Sequence, residues 1–289
     1  MVDKKLFTFK FEKSDTALGP PKTPVKRIPY KDIFNPTTPS SPTTPIPSGL
    51  LKIATGDFFE VFVSSNSTAI KKSLGVFRTE SERASILKEV EILKKLDSPH
   101  IVQYIKDWEI DRHIYIEMEY CSLGTLREFM NLVYFSQKSS FSPSTISKIM
   151  KELCLGLQEI HRLNIVHLDL KPENIFLQHS EEDTFILKIG DFNISRYEGE
   201  EIGMDGDKKY MAPEVLDNIC IRASDVYSLG LIYIEILNGI ILPTSGEGWL
   251  RLRNNIFTGI KLGRFGRKML EKDHRKRIEI NKLSSYYCK

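Results

Sequence analysis

The sequence predicts an α+β protein of two lobes, a small β-rich one followed by a larger helical one, behind a disordered N-terminal tail. Three observations predict it. Residues 1–49 are dominated by Pro, Ser and Thr from Gly19 to Ser48 and have no hydrophobic periodicity, a composition that buries too little apolar surface to fold. Residues 50–120 carry strand-like runs around a single helical stretch. From residue 121 to about 285, apolar residues recur at helical spacing. A chain of 289 residues holds one such domain, 50–285, plus its tail, with lobes at about 50–120 and 121–285.

Each element follows in order. Leu50 to Lys72 reads as a β-hairpin. Residues 80–96 read as a helix: Thr79 can cap it, Glu82 completes a capping box, and Ile86, Val90 and Leu93 form its apolar stripe with Glu89 alongside. Ile101 to Tyr120 reads as two strands with Trp108 between them. Ser142-Pro143 opens a helix with a cap and a first-position proline, and its stripe is Ile146, Ile149, Leu153, Leu157 and Ile160. The apolar run Val226 to Leu242 contains Ser228, Glu235 and Asn238, which favours a buried helix over a membrane span.

The chemistry-bearing stretch is Ile165 to Phe176, which reads H-x-D-x-K-x-x-N between apolar residues. Lys188-Ile189-Gly190-Asp191-Phe192-Asn193 follows, and then Ala212-Pro213-Glu214. Together, in this order, they resemble the catalytic loop, metal-binding turn and activation-segment end of a protein kinase, covering about residues 50–285. The resemblance implies the two-lobed protein kinase fold, with ATP and Mg2+ as cofactors. Phosphoryl transfer needs positioning and charge neutralisation more than covalent help. Asp169 would accept the substrate hydroxyl's proton, Lys171 would place a cation near the moving phosphoryl group, and Asn174 and Asp191 would offer oxygens to magnesium. Ala69-Ile70-Lys71 matches the strand whose lysine contacts the phosphates, and Glu89 would pair with Lys71. Ile53, Gly56, Val61 and Ala69 would line the nucleotide, Met118 would stand beside the adenine, and backbone groups of Glu119 and Cys121 would bond its edge. His167 would pack under the metal turn, Asp225 would brace the catalytic loop, and Glu214 would pair with Arg277.

The chain also departs from the pattern. In the glycine-rich loop only Gly56 survives, with Ala54 and Phe59 in the other two glycine positions. Leu168 replaces the arginine that meets a phosphate on the activation loop, and the segment from Asp191 to Glu214 is short, which predicts activity without activation-loop phosphorylation. Asn193 replaces a glycine and would tolerate a left-handed backbone.

His167-Leu168-Asp169-Leu170-Lys171-Pro172, with Gly206-Asp207-Lys208-Lys209-Tyr210-Met211-Ala212-Pro213-Glu214, is similar to the Wee-type mitosis-inhibitor kinases. That resemblance implies a cyclin-dependent kinase with its cyclin as protein substrate, inhibition of mitotic entry, possible tyrosine specificity on a serine/threonine-type loop, and a nuclear or cytoplasmic location. Two alternatives remain. Ile116 to Cys121 with Gly124-Thr125-Leu126 also resembles the kinases of the translation-initiation factor, although that group normally keeps the arginine replaced by Leu168. A pseudokinase scaffold fits the reduced glycine loop, but Lys71, Glu89, Asp169, Asn174 and Asp191 are all present. In the tail, Thr23-Pro24, Thr38-Pro39, Ser41-Pro42 and Thr44-Pro45 are sites for proline-directed kinases. Lys4-Lys5-Leu6-Phe7 has the pattern of a cyclin-docking segment, and Phe7, Phe9 and Phe11 alternate as in a short strand.

Composition narrows the rest. Hydrophobic residues make up 41% and charged residues 27%, the balance of a globular protein. The net charge of +3, with +4 on residues 1–49, makes no case for a nucleic-acid partner. The four cysteines, Cys121, Cys154, Cys220 and Cys288, lie far apart and suggest neither zinc nor disulfides. No apolar leader opens the chain, so neither secretion nor a membrane is expected, and a monomer is.

Overall fold

Strand alternation and two tight turns build the first unit. The computed structural model describes residues 50–288 apart from 57–58, 76, 78, 181–183 and 203–205. The tail's Thr-Pro pairs, docking segment and alternating phenylalanines lie outside the described residues, as does the side chain of Glu82 in the expected capping box. The described chain falls into two compact units, 50–91 with 103–120, and 92–102 with 121–288.

The small unit is one antiparallel sheet, ordered β1-β2-β3-β5-β4. Its strands are β1 (Leu51–Thr55), β2 (Phe59–Val63), β3 (Thr68–Ser73), β4 (Tyr104–Ile110) and β5 (His113–Glu119). The stretch read as one hairpin is thus a three-strand meander. Ser64-Ser65-Asn66-Ser67 makes its second turn, closed by Ser64 N–H donating to Thr68 O at 2.9 Å, with Ser67 in the left-handed region. Trp108 does not lie between strands. It belongs to β4, opposite Tyr115, and the two rings stack at 5.4 Å. Asp111 and Arg112 make the turn instead, both at positive φ, as a type I′ hairpin turn requires.

Alternation sorts this sheet into two faces. Phe62, Ile70 and Tyr115 form an apolar cluster on one, with Leu50 and Trp108 against it. Val61, Lys71 and Ile116 are in register across three strands, as are Val63, Ala69 and Met118, and these line the other face. Helix α1 (Glu80–Lys95) brings the buried Glu89 to Lys71.

The large unit is mainly helical. Its helices are α2 (Leu126–Asn131), α3 (Pro143–Arg162), α4 (Pro213–Leu216), α5 (Arg222–Asn238), α6 (Gly246–Arg253), α7 (Gly266–Met269) and α8 (Ile280–Tyr287). Two small antiparallel sheets pair β6 (Ile165–Val166) with β9 (Arg196–Tyr197), and β7 (Ile175–His179) with β8 (Phe185–Ile189). Ser142 caps α3 by accepting from Thr145 N–H at 3.1 Å. Along α3 the expected stripe turns inward, with Ile149, Leu153, Leu157 and Ile160 buried. Helix α5 is buried all round from Ser224 to Ile236, because neighbouring elements cover every side of it. Gly239 ends it in the left-handed conformation that costs a glycine least. Among the described residues, no helix is long and apolar enough to cross a membrane.

Candidate active site

Strand β6 delivers the chain to the loop His167–Asn174, and one buried carboxylate holds the start of that loop. Asp225 Oδ2 accepts from His167 N–H at 2.9 Å and from His161 Nε2 at 2.9 Å, and Oδ1 accepts from Leu168 N–H at 3.0 Å. Asp169 N–H donates to His167 Nδ1 at 3.3 Å. The other ring nitrogen, Nε2, therefore carries the proton and donates to Gly190 O at 3.1 Å. The His167 ring packs on Phe192 at 4.9 Å. In this way the imidazole ties the loop to the turn that carries Asp191.

Three of the expected residues converge. Asp169 Oδ2 accepts from Lys171 Nζ at 2.7 Å and from Asn174 Nδ2 at 2.8 Å, while Oδ1 accepts from Asp207 N–H at 3.1 Å. Asn174 Nδ2 spends its second hydrogen on Asp169 O at 2.9 Å, which turns its Oδ1 away from Asp169. Burial pulls the Lys171 pKa down, but the charges of Asp169, Asp207 and Asp191 outweigh it and hold the value above that of an ordinary lysine. Asn174 Oδ1 and the Asp191 carboxylate are hard oxygen donors in a negative field, the donor set that magnesium takes. These residues fit that ion.

One expectation about the backbone changes here. Asn193 is not left-handed, and Asp191 is, at φ 64°. The turn takes its unusual conformation at the carboxylate itself. Leu168 is also left-handed, at φ 67°, and buried. That conformation costs roughly 1–2 kcal/mol for a residue with a side chain, and the bond from its N–H to Asp225 offsets it.

The segment after Asp191 is held at several points. Ser195 Oγ donates to His167 O at 3.1 Å, and β9 pairs with β6. A Cβ at Gly206 would lie 2.9 Å from Leu168 O, so a residue without a side chain lets Asp207 reach Asp169. Tyr210 is buried, and its hydroxyl donates to Glu235 Oε2 at 2.8 Å. Arg127 bonds Tyr210 Oη, Glu235 Oε2 at 2.8 Å and Glu173 Oε1 at 2.8 Å. Burial and the Glu235 charge push the Tyr210 pKa far up. From α6, Arg253 donates to the carbonyls of Lys208 and Lys209, and Trp249 Nε1 donates to Lys208 O. Glu214 accepts from Arg277 at 2.5 and 3.1 Å and from Ser224 Oγ at 2.8 Å. Burial pushes the Glu214 pKa up, but the Arg277 guanidinium more than compensates and leaves it below the usual carboxylate value. The sequence reading did not name Arg127, Glu173, Asp207, Arg253 or Trp249 as site residues. The Gly206-Asp207 pair was the one available signal for them.

The other expected residues lie in the small unit. Lys71 Nζ donates to Glu89 Oε1 at 2.6 Å, both groups buried. Val61, Ala69 and Met118 share the Lys71 face, and Ala54 pairs with Val61. Ile53 sits at a β-bulge and is 46% exposed. Gly56 N–H donates to Phe59 O at 2.8 Å and closes the loop tip. Glu119 N–H donates to Gln103 O at 3.0 Å, which narrows the expected adenine contact to its carbonyl. Cys121 is buried in the large unit, where its carbonyl accepts from Gly124 N–H at 3.4 Å. A lysine set in register on a sheet face beside small and apolar side chains fits a nucleotide.

A paired lysine on a sheet in the small unit, and a braced aspartate with amide and carboxylate neighbours in the large one, are each features of a phosphotransferase. Residues 54–286 match the family model described as Protein kinase domain, and the chain belongs to the protein kinase family. It is similar to the Wee-type members. Against Mitosis inhibitor protein kinase wee1 of Schizosaccharomyces pombe it is 37% identical over 212 residues, 70% of this chain and 24% of that protein. Against Mitosis inhibitor protein kinase SWE1 of Candida albicans it is 34% identical over 229 residues, 72% of this chain and 18% of that one. A probable protein kinase of Dictyostelium discoideum is 32% identical over 251 residues, covering 81% of this chain and 70% of that protein. The chain spans only 24% and 18% of the two mitosis inhibitors' own lengths.

Proposed function

We propose that this chain is an ATP- and magnesium-dependent protein kinase of the Wee type, which phosphorylates a cyclin-dependent kinase bound to cyclin and so restrains mitotic entry. The observation that carries the reading is the Asp169 carboxylate, aimed by Lys171, Asn174 and Asp207 N–H. In this reading the substrate hydroxyl bonds to Asp169, which takes its proton late in the transfer. Lys171 keeps a positive charge beside the moving phosphoryl group, and Lys71, oriented by Glu89, contacts the phosphates. Magnesium, held by Asn174 and Asp191, would supply neutralising charge. The names of the similar proteins support the mitotic role, and one such protein, wee-1.3 of Caenorhabditis elegans, is described as tyrosine- and threonine-specific. The Thr-Pro pairs of the tail suit return phosphorylation by the same substrate. With Leu168 in place of an arginine, and Tyr210, Lys208 and Glu214 already anchored, the enzyme works without activation-loop phosphate. It acts as a monomer in the nucleus or cytoplasm.

The test is a phosphotransfer assay with purified protein, magnesium, ATP and a catalytically dead cyclin-dependent kinase bound to its cyclin, with Asp169→Asn as control. Phosphotyrosine or phosphothreonine on that substrate, absent in the control, is the expected result. Transfer only to the translation-initiation factor would replace the Wee reading, and nucleotide binding without any transfer would leave a scaffold.

A further inference from the structure

Phe59 stands at the third glycine position of the expected phosphate-covering loop, where the family pattern has no side chain. The register of β2 against β3 sets Phe59 opposite Ser73 and Val61 opposite Lys71, so Phe59 and Lys71 rise from one face of the sheet on neighbouring strands. The ring lies 4.2 Å from Lys71 Nζ, within the range of a cation–π contact. It is a buried contact: Phe59 is 6% exposed, Lys71 7% and Glu89 2%. An ammonium has three N–H donors in a compact head. One points to Glu89 Oε1 at 2.6 Å, and the face of an aromatic ring covers another side. A phosphate oxygen must come within about 2.9 Å of that nitrogen to bond it. A ring at 4.2 Å occupies part of the space such an oxygen needs. The backbone beneath the ring is fixed, since Phe59 O accepts from Gly56 N–H and the strand is paired on both sides. The side chain is therefore the part that can turn.

We propose that Phe59 is a positioning residue that holds Lys71 on Glu89 and covers its ammonium, so that phosphates reach Lys71 only when the ring rotates away. The proposal rests on the reading of Lys71 as the phosphate-contacting lysine. The lysine–glutamate pair is then set before nucleotide arrives, and nucleotide affinity is reduced by the fraction of molecules in which the ring covers Lys71.

The experiment uses the full chain, with Phe59→Ala, Phe59→Leu and a shape-preserving replacement of Phe59 by trifluorophenylalanine, whose ring face has lost its negative potential. Two quantities are read: the rate at which a small amine-acylating reagent labels Lys71 without nucleotide, followed by peptide mass spectrometry, and the Kd for ADP with magnesium by calorimetry. Labelling is expected to rise about three- to tenfold in Phe59→Ala and by a smaller factor in the fluorinated protein. The ADP Kd is expected to fall by a similar factor in Phe59→Ala. Phe59→Leu, which keeps part of the bulk without the ring's negative face, should label between wild type and the alanine variant. Unchanged labelling on fluorination, or weaker ADP binding in Phe59→Ala, would overturn the proposal. If Phe59→Ala fails to fold, the fluorinated protein decides alone. Lys71→Met separates the two readings: an unchanged ADP Kd there removes Lys71 from the phosphates, whereas the labelling series still reports whether the ring covers it.

Discussion

In the small unit a buried lysine meets a carboxylate and a ring, whereas in the large unit one aspartate is held by three donors and the start of its loop by two amide bonds to Asp225. Both regions depart from the family pattern, and they absorb the departure differently. Around Lys71, lost glycines become side chains, and Phe59 adds a contact that glycine cannot make. Around Asp169, Leu168 and Asn193 change side chains, and Asp225, His167 and Gly206 hold the backbone there. A site built on side-chain contacts can be retuned by a neighbouring side chain. A site built on backbone hydrogen bonds tolerates side-chain change and is sensitive to the loss of an anchor.

Four substitutions sharpen that contrast. The largest effect belongs to the braced aspartate. Asp169→Asn should cut kcat by about 10²–10⁴-fold and leave the Kd for ADP with magnesium within twofold of wild type, read by phosphotransfer and calorimetry. Comparable loss of both would mean that the two regions do not separate. Next comes the Glu214–Arg277 pair. Arg277→Met strands a buried carboxylate and should cost about 3–5 kcal/mol in urea unfolding at pH 7. The folded-state pKa of Glu214 is lowered, so the pair stabilises above the ordinary carboxylate value and its contribution fades as pH falls through the lowered one. In the variant, burial alone raises that pKa, so the deficit should narrow at pH 4. A deficit constant with pH would show that the lost packing of Arg277 dominates.

Tyr210→Phe removes a buried hydroxyl bonded to a charged partner and should cost about 1.5–3 kcal/mol. The KM for the protein substrate should rise while the ADP Kd stays fixed, since Tyr210 anchors only the segment after Asp191. A shifted Kd with an unchanged KM would contradict that. The smallest effect is expected at the first turn of α2, where Thr125 and Glu128 form a complete capping box. Thr125→Ala should lower stability by about 1 kcal/mol without changing either kinetic constant.

Local pattern carried much of this molecule. The α3 stripe with its Ser142 cap, the buried α5 and the Glu214–Arg277 pair are legible because periodicity, capping chemistry and motif spacing each act over a few residues or align with a known frame. The Tyr210–Glu235–Arg127–Glu173 network was not legible, since its members come from four elements and only the folded chain brings them together. Two turns differ from the sequence expectation for a different reason. Trp108 draws the eye as a break between strands, but the break needs positive φ, and Asp111-Arg112 supply it. Likewise Asn193 looks like the residue for a left-handed turn, while Asp191 adopts it.

One consequence of the Asp225 contacts concerns time rather than place. This single carboxylate joins the end of α3, the start of the catalytic loop and the first turn of α5, and it accepts the amide hydrogens of His167 and Leu168 in a site closed to water. Those two amides cannot meet solvent while α5 stays seated. They should exchange for deuterium as slowly as the slowest amides of the α5 core, reporting global rather than local opening. The loop His167–Asn174 would then be among the last parts of the large unit to breathe.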